Sequence, residues 1–403
     1  MNQANAHGQP RPSSDVVIAG GSAAGLFAAY LLAREGVRVR LFDSNDVLHT
    51  DARTLITTSR LTEVLGFFPR EAVCNEINRL ELFSARRSVT IPMQEPDLVV
   101  ERSALVRLLA QKALQAGAQI RGGCKFLNLE PREDGATVTI RDLHRGTVDT
   151  IKATTVVGAD GTFSRVAKIA NENSHETTPI LQAIVRLPDG AQVNTTQIWF
   201  RPEETPYFYW LIPESRTQAA VGFIAEEGKA ARTKLENFLG RRGLKIIEMQ
   251  AARIPVYTHS TRPWRRVAGS DIYLVGDAAA QVKVTTVGGL VTGLRGAKAA
   301  ADAILRRTDY LKELRPLRRE LSLHLLIRSV LNGFGSRDYD RLLGLLNKKT
   351  IHLLGHYNRD QAARMFWRII LAQPRLLRYA AFLSRSLAQD RFPSKNLRAT
   401  SPV

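Results

Sequence analysis

Three short stretches hold the residues whose types and spacing could do chemistry. In the first, Gly20-Gly21-Ser22-Ala23-Ala24-Gly25 follows an apolar run and precedes another. Such a turn between a strand and a helix lets the backbone approach a pyrophosphate, and an acid about 20 residues on, here Asp43, is placed for ribose hydroxyls. Ser22 stands where the second glycine of that fingerprint is usual. In the second stretch, Val156-Val157 leads into Gly158-Ala159-Asp160-Gly161-Thr162-Phe163-Ser164-Arg165. In the third, Ile272–Val275 reads as a buried strand that stops at Gly276-Asp277, and Gly288-Gly289 opens a helix of small and apolar residues. A strand, an acid, glycines and a helix start can bind a sugar hydroxyl and aim free N–H groups at an electron-rich ring edge. Taken alone, this third stretch reads equally well as a structural turn.

The elements that must position these residues follow from periodicity. A strand over 15–19, a helix over 26–34 and a strand over 37–42 make a βαβ unit, since the apolar run 18–33 is too short for a membrane span and is broken by glycines. A helix is expected over 61–68. Glu101-Arg102-Ser103 starts another helix with Leu105, Leu108, Leu109 and Leu114 mostly on one face, ending near Gly117. Arg102 is thereby placed to meet a phosphate or the adenosine side of a cofactor. Arg53 reaches a phosphate or a ring system, or is simply solvated. Strands are expected at 118–121, 125–130, 136–141 and 148–157. Four β-like runs at 181–187, 196–200, 207–212 and 219–224 suggest one antiparallel sheet forming the floor of a substrate pocket, with Trp199, Tyr207, Tyr209 and Trp210 as aromatic surface. Segments 235–239 and 245–252 are expected to cap it.

Beyond residue 309 the texture changes to leucine- and arginine-rich helical segments. Residues 301–403 hold 20 basic against 8 acidic side chains, +12 of the whole chain's +19. Basic charge beside apolar faces suits an anionic bilayer surface, and a solvated bundle with a basic exterior suits the same pattern. The first 14 residues are polar, contain proline and lack both the charged and the apolar region of a signal peptide, so a disordered tail and a cytoplasmic location are expected, with possible contact on the inner face of the membrane left to the basic helices. The 403 residues, 44% of them hydrophobic, suffice for two or three packed domains. Two cysteines, Cys74 and Cys124, make neither a disulfide scaffold nor a metal cluster, and no metal-ligand spacing is present. No specific nucleic-acid motif accompanies the basic charge.

Together, the three motifs resemble in order and spacing those of two-domain FAD oxidoreductases built like the aromatic hydroxylases. The closer resemblance is to the geranylgeranyl reductase branch: GDAAAQVKVTTVGGL over 276–290 is similar to that branch's GDAAGQVKPTTGGGI, and Phe208-Tyr209-Trp210-Leu211-Ile212-Pro213 to its YxWxFP. The resemblance implies an α/β fold: a Rossmann-like FAD-binding domain, an antiparallel β-sheet substrate domain and a C-terminal helical region. On that pattern the FAD-binding domain takes residues 15–70, 98–177 and 265–308; the substrate domain takes 71–97 and 178–264; the helical region takes 309–403. It implies FAD held by Gly20, Ser22, Ala23, Ala24, Gly25, Asp43, Arg53, Arg102, Asp160, Gly276, Asp277, Val287, Gly288 and Gly289. Tyr209, Trp210 and Thr286 would line the pocket. The implied reaction is hydride transfer from reduced flavin to a carbon–carbon double bond of a prenyl or polyene, lipid-like substrate, with NAD(P)H or a reduced carrier such as ferredoxin as electron donor. Some relatives carry a cysteine near the flavin just after the second strand. Here Val47-Leu48-His49-Thr50 has none, leaving His49 and Tyr209 as candidate proton donors. The alternative is an NAD(P)H- and O2-dependent monooxygenase of an aromatic or polycyclic, polyketide-like substrate. A halogenase ranks lower because those enzymes need a lysine in the N-terminal quarter, and the first lysine here is Lys112.

Overall fold

A computed structural model describes residues 15–46, 53–133, 135–170, 175–225, 230–267 and 269–382. In chain order the first elements are β1 (Asp15–Ala19), α1 (Ala23–Ala33), β2 (Arg38–Phe42), β3 (Thr54–Thr57), α2 (Arg60–Leu65), β4 (Val73–Phe83), β5 (Ser88–Glu101) and α3 (Arg102–Gln115). Next come β6 (Gln119–Arg121), β7 (Cys124–Arg132), β8 (Gly135–Asp142), β9 (Val148–Ala153), β10 (Thr155–Gly158), α4 (Arg165–Ile169), β11 (Thr177–Arg186), β12 (Thr195–Trp199), β13 (Tyr209–Pro213) and β14 (Gln218–Ile224). The chain continues through α5 (Ala230–Gly240), β15 (Lys245–Pro255), β16 (Trp264–Val267), β17 (Ser270–Leu274) and α6 (Leu290–Arg306). It closes with α7 (Tyr310–Glu313), α8 (Arg315–Leu331), α9 (Ser336–Leu345), α10 (Lys348–His356) and α11 (Ala362–Ala372).

The strands form three sheets, and their orders explain where the motifs meet. The first runs β16-β17-β10-β1-β2-β6, with β17, β10, β1, β2 and β6 mutually parallel and β16 antiparallel at the edge. In a doubly wound sheet, ligands collect at the carboxyl ends of such strands. The carboxyl ends of β1, β10 and β17 are the starts of the three motifs. Helix α1 is apolar almost all round and nine of its eleven residues are buried, because it is sandwiched between this sheet, α3 and α6. Helix α6 can approach closely because its inner face is Gly and Ala: a methyl at Gly293 would stand 3.2 Å from the Cα of Gly276.

The second sheet runs β15-β11-β14-β13-β12-β4-β5-β3. The four expected runs are in it, but it has eight strands and one parallel pairing, between β12 and β4. Segment 245–252 does not cap it; it is the edge strand β15, paired with β11. The third sheet is the antiparallel β7-β8-β9. Strand 148–157 is in fact two strands that part at Thr154, where β9 leaves the β7-β8 hairpin and β10 enters the first sheet. Helix α2 stops at Leu65 because Gly66 takes the left-handed conformation, φ +77°. Leu114 is exposed, so the buried face of α3 is Leu105, Val106, Leu109, Ala110 and Ala113.

The C-terminal helices pack back on the second sheet. Gly355 of α10 lets that helix lie against β5, where an added methyl would sit 2.1 Å from the Pro92 carbonyl oxygen. Among the described residues no helix is long and apolar enough to cross a membrane.

Candidate functional site

The three motifs converge through contacts only glycine permits. Gly20 has φ +104°, and a methyl there would meet the Ala159 carbonyl oxygen at 2.4 Å. A methyl at Gly25 would stand 2.2 Å from the Gly20 carbonyl oxygen and 2.9 Å from the Cβ of Ala159. The first and second motifs are therefore in backbone contact. Gly276, at φ +63°, brings the third motif to the first, since its own methyl would lie 3.2 Å from the Cβ of Ala24.

Ser22 replaces a glycine and takes on the N-cap of α1: its hydroxyl accepts from the Gly25 N–H at 3.3 Å. Ala23 and Ala24 form the first turn of that helix. Both carboxylate oxygens of Asp43 accept backbone N–H bonds, from Gly21 at 2.6 Å and from Asn45 at 2.8 Å. Asp43 thus ties the end of β2 to the glycine turn. Asp160 ties the second motif in the same way, accepting from the Ser164 hydroxyl at 2.5 Å and the Arg165 N–H at 2.6 Å. Ser164 in turn caps α4.

These residues wall a cavity of about 350 Å³ lined by Gly20, Ser22, Asp43, Arg102, Lys125, Asp160, Phe163 and Arg165, among others. Arg102 stands at its edge because Glu101 caps α3, accepting from Ser103 N–H at 2.9 Å and Ala104 N–H at 2.6 Å. Burial pushes the Glu101 carboxyl up, but those N–H bonds and the Ser103 hydroxyl outweigh it and hold the group below its usual range. Exposed helix N-termini, glycine turns and two flanking arginines fit the diphosphate of a dinucleotide. The Arg53 guanidinium donates to the Ala251 carbonyl of β15 at 3.2 Å.

Asp277 lies past the carboxyl end of β17, where a methyl at Gly289 would be 3.3 Å from its Oδ1. Burial pushes its carboxyl above the usual range, against the opposing effects of Arg102 and of a hydrogen bond from Thr162. The expected helix start at Gly288 falls two residues later, at Leu290, with Gly289 as N-cap. Gly288 instead closes the preceding loop, pairing with Lys283 as an isolated bridge. Val287 is left-handed at φ +48°, and Thr286 is half-buried in the same loop.

Two expected pocket or proton-donor residues fare differently. Tyr209 is a core residue: its ring is stacked between Phe223 and Phe238 under α5, and its hydroxyl donates to Glu204 at 2.6 Å. Because side chains alternate along β13, Trp210 points to the opposite face, beside Gly222, Gln182 and Phe208. Tyr209 is thereby withdrawn both as a catalytic and as a pocket residue. His49 lies outside the described residues.

Sequence reasoning missed a buried polar group under the 283–289 loop. Lys283 pairs with Asp360 at 2.5 Å, both side chains being under a tenth exposed, and Thr58 donates to the other Asp360 oxygen at 2.6 Å. Thr285 Oγ1 is 2.7 Å from His324 Nδ1, and Arg295 pairs with the buried Glu320 at 2.7 Å. Glu320, His324 and Arg328 stand at i, i+4 and i+8 on α8, a polar stripe only 6%, 4% and 2% exposed. That spacing was the one available signal. Gln281 was likewise unassigned; its side-chain oxygen accepts from the Gly276 N–H at 2.8 Å and fills the space left by Gly296.

The FAD binding domain family matches residues 13–306. Digeranylgeranylglycerophospholipid reductase 2 of Methanothermobacter thermautotrophicus is 28% identical over 363 residues, covering 84% of this chain and 92% of its own. The digeranylgeranylglycerophospholipid reductase of Methanothrix thermoacetophila is 26% identical over 307 residues, 72% of this chain and 77% of its own. A geranylgeranyl bacteriochlorophyll reductase-like protein from Thermoplasma acidophilum superposes with a TM-score of 0.75 at 17% identity, covering 92% of this chain and 99% of its own. The flavin-dependent halogenase CmlS superposes at 0.67 and 15% identity, over 92% of this chain and 78% of its own. At such identities the two structures speak for the fold alone.

Proposed function

The chain belongs to the FAD binding domain family, and we propose that it is an FAD-dependent reductase that saturates carbon–carbon double bonds in the prenyl or polyene chain of a lipid. The observation that carries this reading is that relatives named as digeranylgeranylglycerophospholipid reductases align along most of both chains. Gly20, Ser22, Ala23, Ala24 and Gly25 take the pyrophosphate against the N-terminus of α1, with Arg102 beside it. Asp43 turns its remaining lone pairs to a ribose, and Asp160 holds the second motif in place. Gly276 and Asp277 take the ribityl chain, and Val287, Gly288 and Gly289 face the ring. When bound, FAD supplies hydride transfer to carbon.

The protein's share is orientation, electrostatics and exclusion of water. The N-terminus of α6 favours negative charge at the pyrimidine end of the ring. Trp210 supplies an apolar wall for an alkene from the second sheet, and Thr286 the loop side of the pocket. His49 is the proposed proton donor, and His49→Ala is expected to lower turnover without loss of bound flavin.

The substrate class also gives the C-terminal helices a place. Helix α11 and the turn after it expose Trp367, Leu371 and Leu377, at 67%, 78% and 55%, among Arg364, Arg368, Arg375 and Arg378. We read this as a peripheral contact with an anionic bilayer on its cytoplasmic side, each basic residue contributing about 1 kcal/mol near the headgroups. Co-sedimentation with anionic but not neutral vesicles is expected, and weakened in an Arg364→Glu/Arg368→Glu variant.

The reaction is tested under strict anaerobiosis. Purified protein with FAD, a prenylated glycerophospholipid and either dithionite, NAD(P)H or reduced ferredoxin should yield product heavier by one H2 per reduced bond. A strict requirement for dioxygen would replace this reading with the monooxygenase.

A further inference from the structure

The loop that carries Val287, Gly288 and Gly289 is anchored from below by charge. Lys283 Nζ and Asp360 Oδ1 are 2.5 Å apart, and the two side chains are 7% and 1% exposed. Lys283 lies directly under the turn: a methyl at Gly288 would be 3.3 Å from its Cε and 3.7 Å from its Nζ. Its N–H also donates to the Gly288 carbonyl at 3.1 Å. Asp360 belongs to a short helical turn, Arg359–Gln361, between α10 and α11, and is held by Thr58 at 2.6 Å and by the neighbouring Arg359–Asp97 pair, also at 2.6 Å. The C-terminal helical region therefore reaches the proposed ring end of the site through the buried carboxylate of Asp360 as well as through α8.

A buried ion pair is a poor way to gain stability, because desolvation offsets the attraction, and its best-attested use is to specify one geometry. A specified geometry is what this loop requires. Val287, a β-branched residue, sits at φ +48°, and Ala280 at φ +47°, conformations that persist only where the surroundings impose them.

We infer that Lys283 and Asp360 are positioning residues whose buried pair clamps the 283–289 loop and sets the charge presented, beside the N-terminus of α6, to the flavin ring. The inference rests on the FAD site proposed above. Both side chains are buried beneath the loop. The pair is neutral as a whole, so each member alone changes the local field with opposite sign. A positive charge left near the ring favours its electron-rich reduced form, and a negative charge disfavours it.

The test is the midpoint potential of the bound flavin, read by visible absorption in the holoprotein during anaerobic titration. Lys283→Met is expected to lower the potential and Asp360→Asn to raise it. Asp360→Glu, which keeps the charge but not the packing, is expected to lower the melting temperature with the potential unchanged. Leu343→Ala in α9, a buried apolar position far from the loop in sequence, supplies the same loss of melting temperature with no shift in potential. Should one charge-removing variant fail to keep flavin, the sign for the other decides. For that variant the FAD dissociation constant of the apoprotein is measured, and a rise at least tenfold above that of Leu343→Ala supports the clamp. Shifts of the same sign, no shift in either variant, or an equal shift in Leu343→Ala would overturn it. Wild-type protein that binds no FAD would instead contradict the FAD site, and is thereby told apart from a failure of the clamp.

Discussion

The two ends of the candidate site are built by different means. At the end proposed for the diphosphate, Gly20, Gly25, Asp43 and Asp160 form a cradle from backbone: glycine turns in direct contact, N–H groups held by two carboxylates, a serine cap. At the end proposed for the ring, the 283–289 loop is held by side chains from distant parts of the chain, Lys283 on Asp360 and Thr285 on His324, and the helix that follows it by Arg295 on Glu320. A backbone cradle leaves little freedom to vary. A side-chain clamp can be retuned one residue at a time.

The sharpest way to break this contrast is at Gly25. Its methyl would meet the Gly20 carbonyl oxygen at 2.2 Å and the Ala159 Cβ at 2.9 Å, neither of which can swing aside, so Gly25→Ala is expected to weaken FAD binding by more than about 100-fold, which corresponds to roughly 3 kcal/mol. Equilibrium dialysis measures it, and near-normal binding would mean the cradle yields. At the other end, Asp360→Asn leaves a buried lysine without its partner and is expected to cost about 3 kcal/mol of unfolding free energy in a urea titration. Replacing both, Lys283→Met with Asp360→Leu, is expected to recover most of that stability, because an apolar pair carries no desolvation penalty.

A third prediction concerns pH. Burial, and next the charge of Lys283, lowers His324 from its ordinary 6.5 to about 4, with Asp360 and the Arg359 backbone opposing. Between those values the unfolded chain binds the proton and the folded chain does not, so stability falls as pH drops from about 6.5 towards 4. At about 1.4 kcal/mol per pH unit the loss approaches roughly 3 kcal/mol. His324→Asn is expected to flatten that slope in denaturation curves across the window. The smallest effect is expected at Ser22→Ala, about 1 kcal/mol for a lost N-cap, visible in the melting temperature with FAD still bound.

The same contrast explains what could be read from the sequence. The cradle is local, six residues running from the end of a strand into the first turn of a helix, so the spacing of Gly20 to Gly25 and Asp43 could be read directly. The three-motif order implied the parallel sheet, and β1, β10 and β17 are its adjacent strands. The clamp is invisible to that procedure because its partners lie 77 residues apart for Lys283 and Asp360 and 302 apart for Thr58 and Asp360. Periodicity also could not show that the stretch 148–157 serves two sheets, since both halves are equally strand-like. At Tyr209 and Trp210 alternation does say that the two rings face opposite ways, but only the packing of α5 reveals which face is covered. Ser22, which stands where a dinucleotide fingerprint usually has a glycine, caps α1, a role that spacing alone did not assign.

The account depends on Gly20, Asp160 and Asp277 serving one bound molecule. Titrating flavin-free protein with FAD and following the visible spectrum tests this most directly. Saturation at one equivalent, with a structured yellow band that Gly25→Ala abolishes, is the predicted result. Protein that stays colourless and leaves FAD free in solution would contradict it.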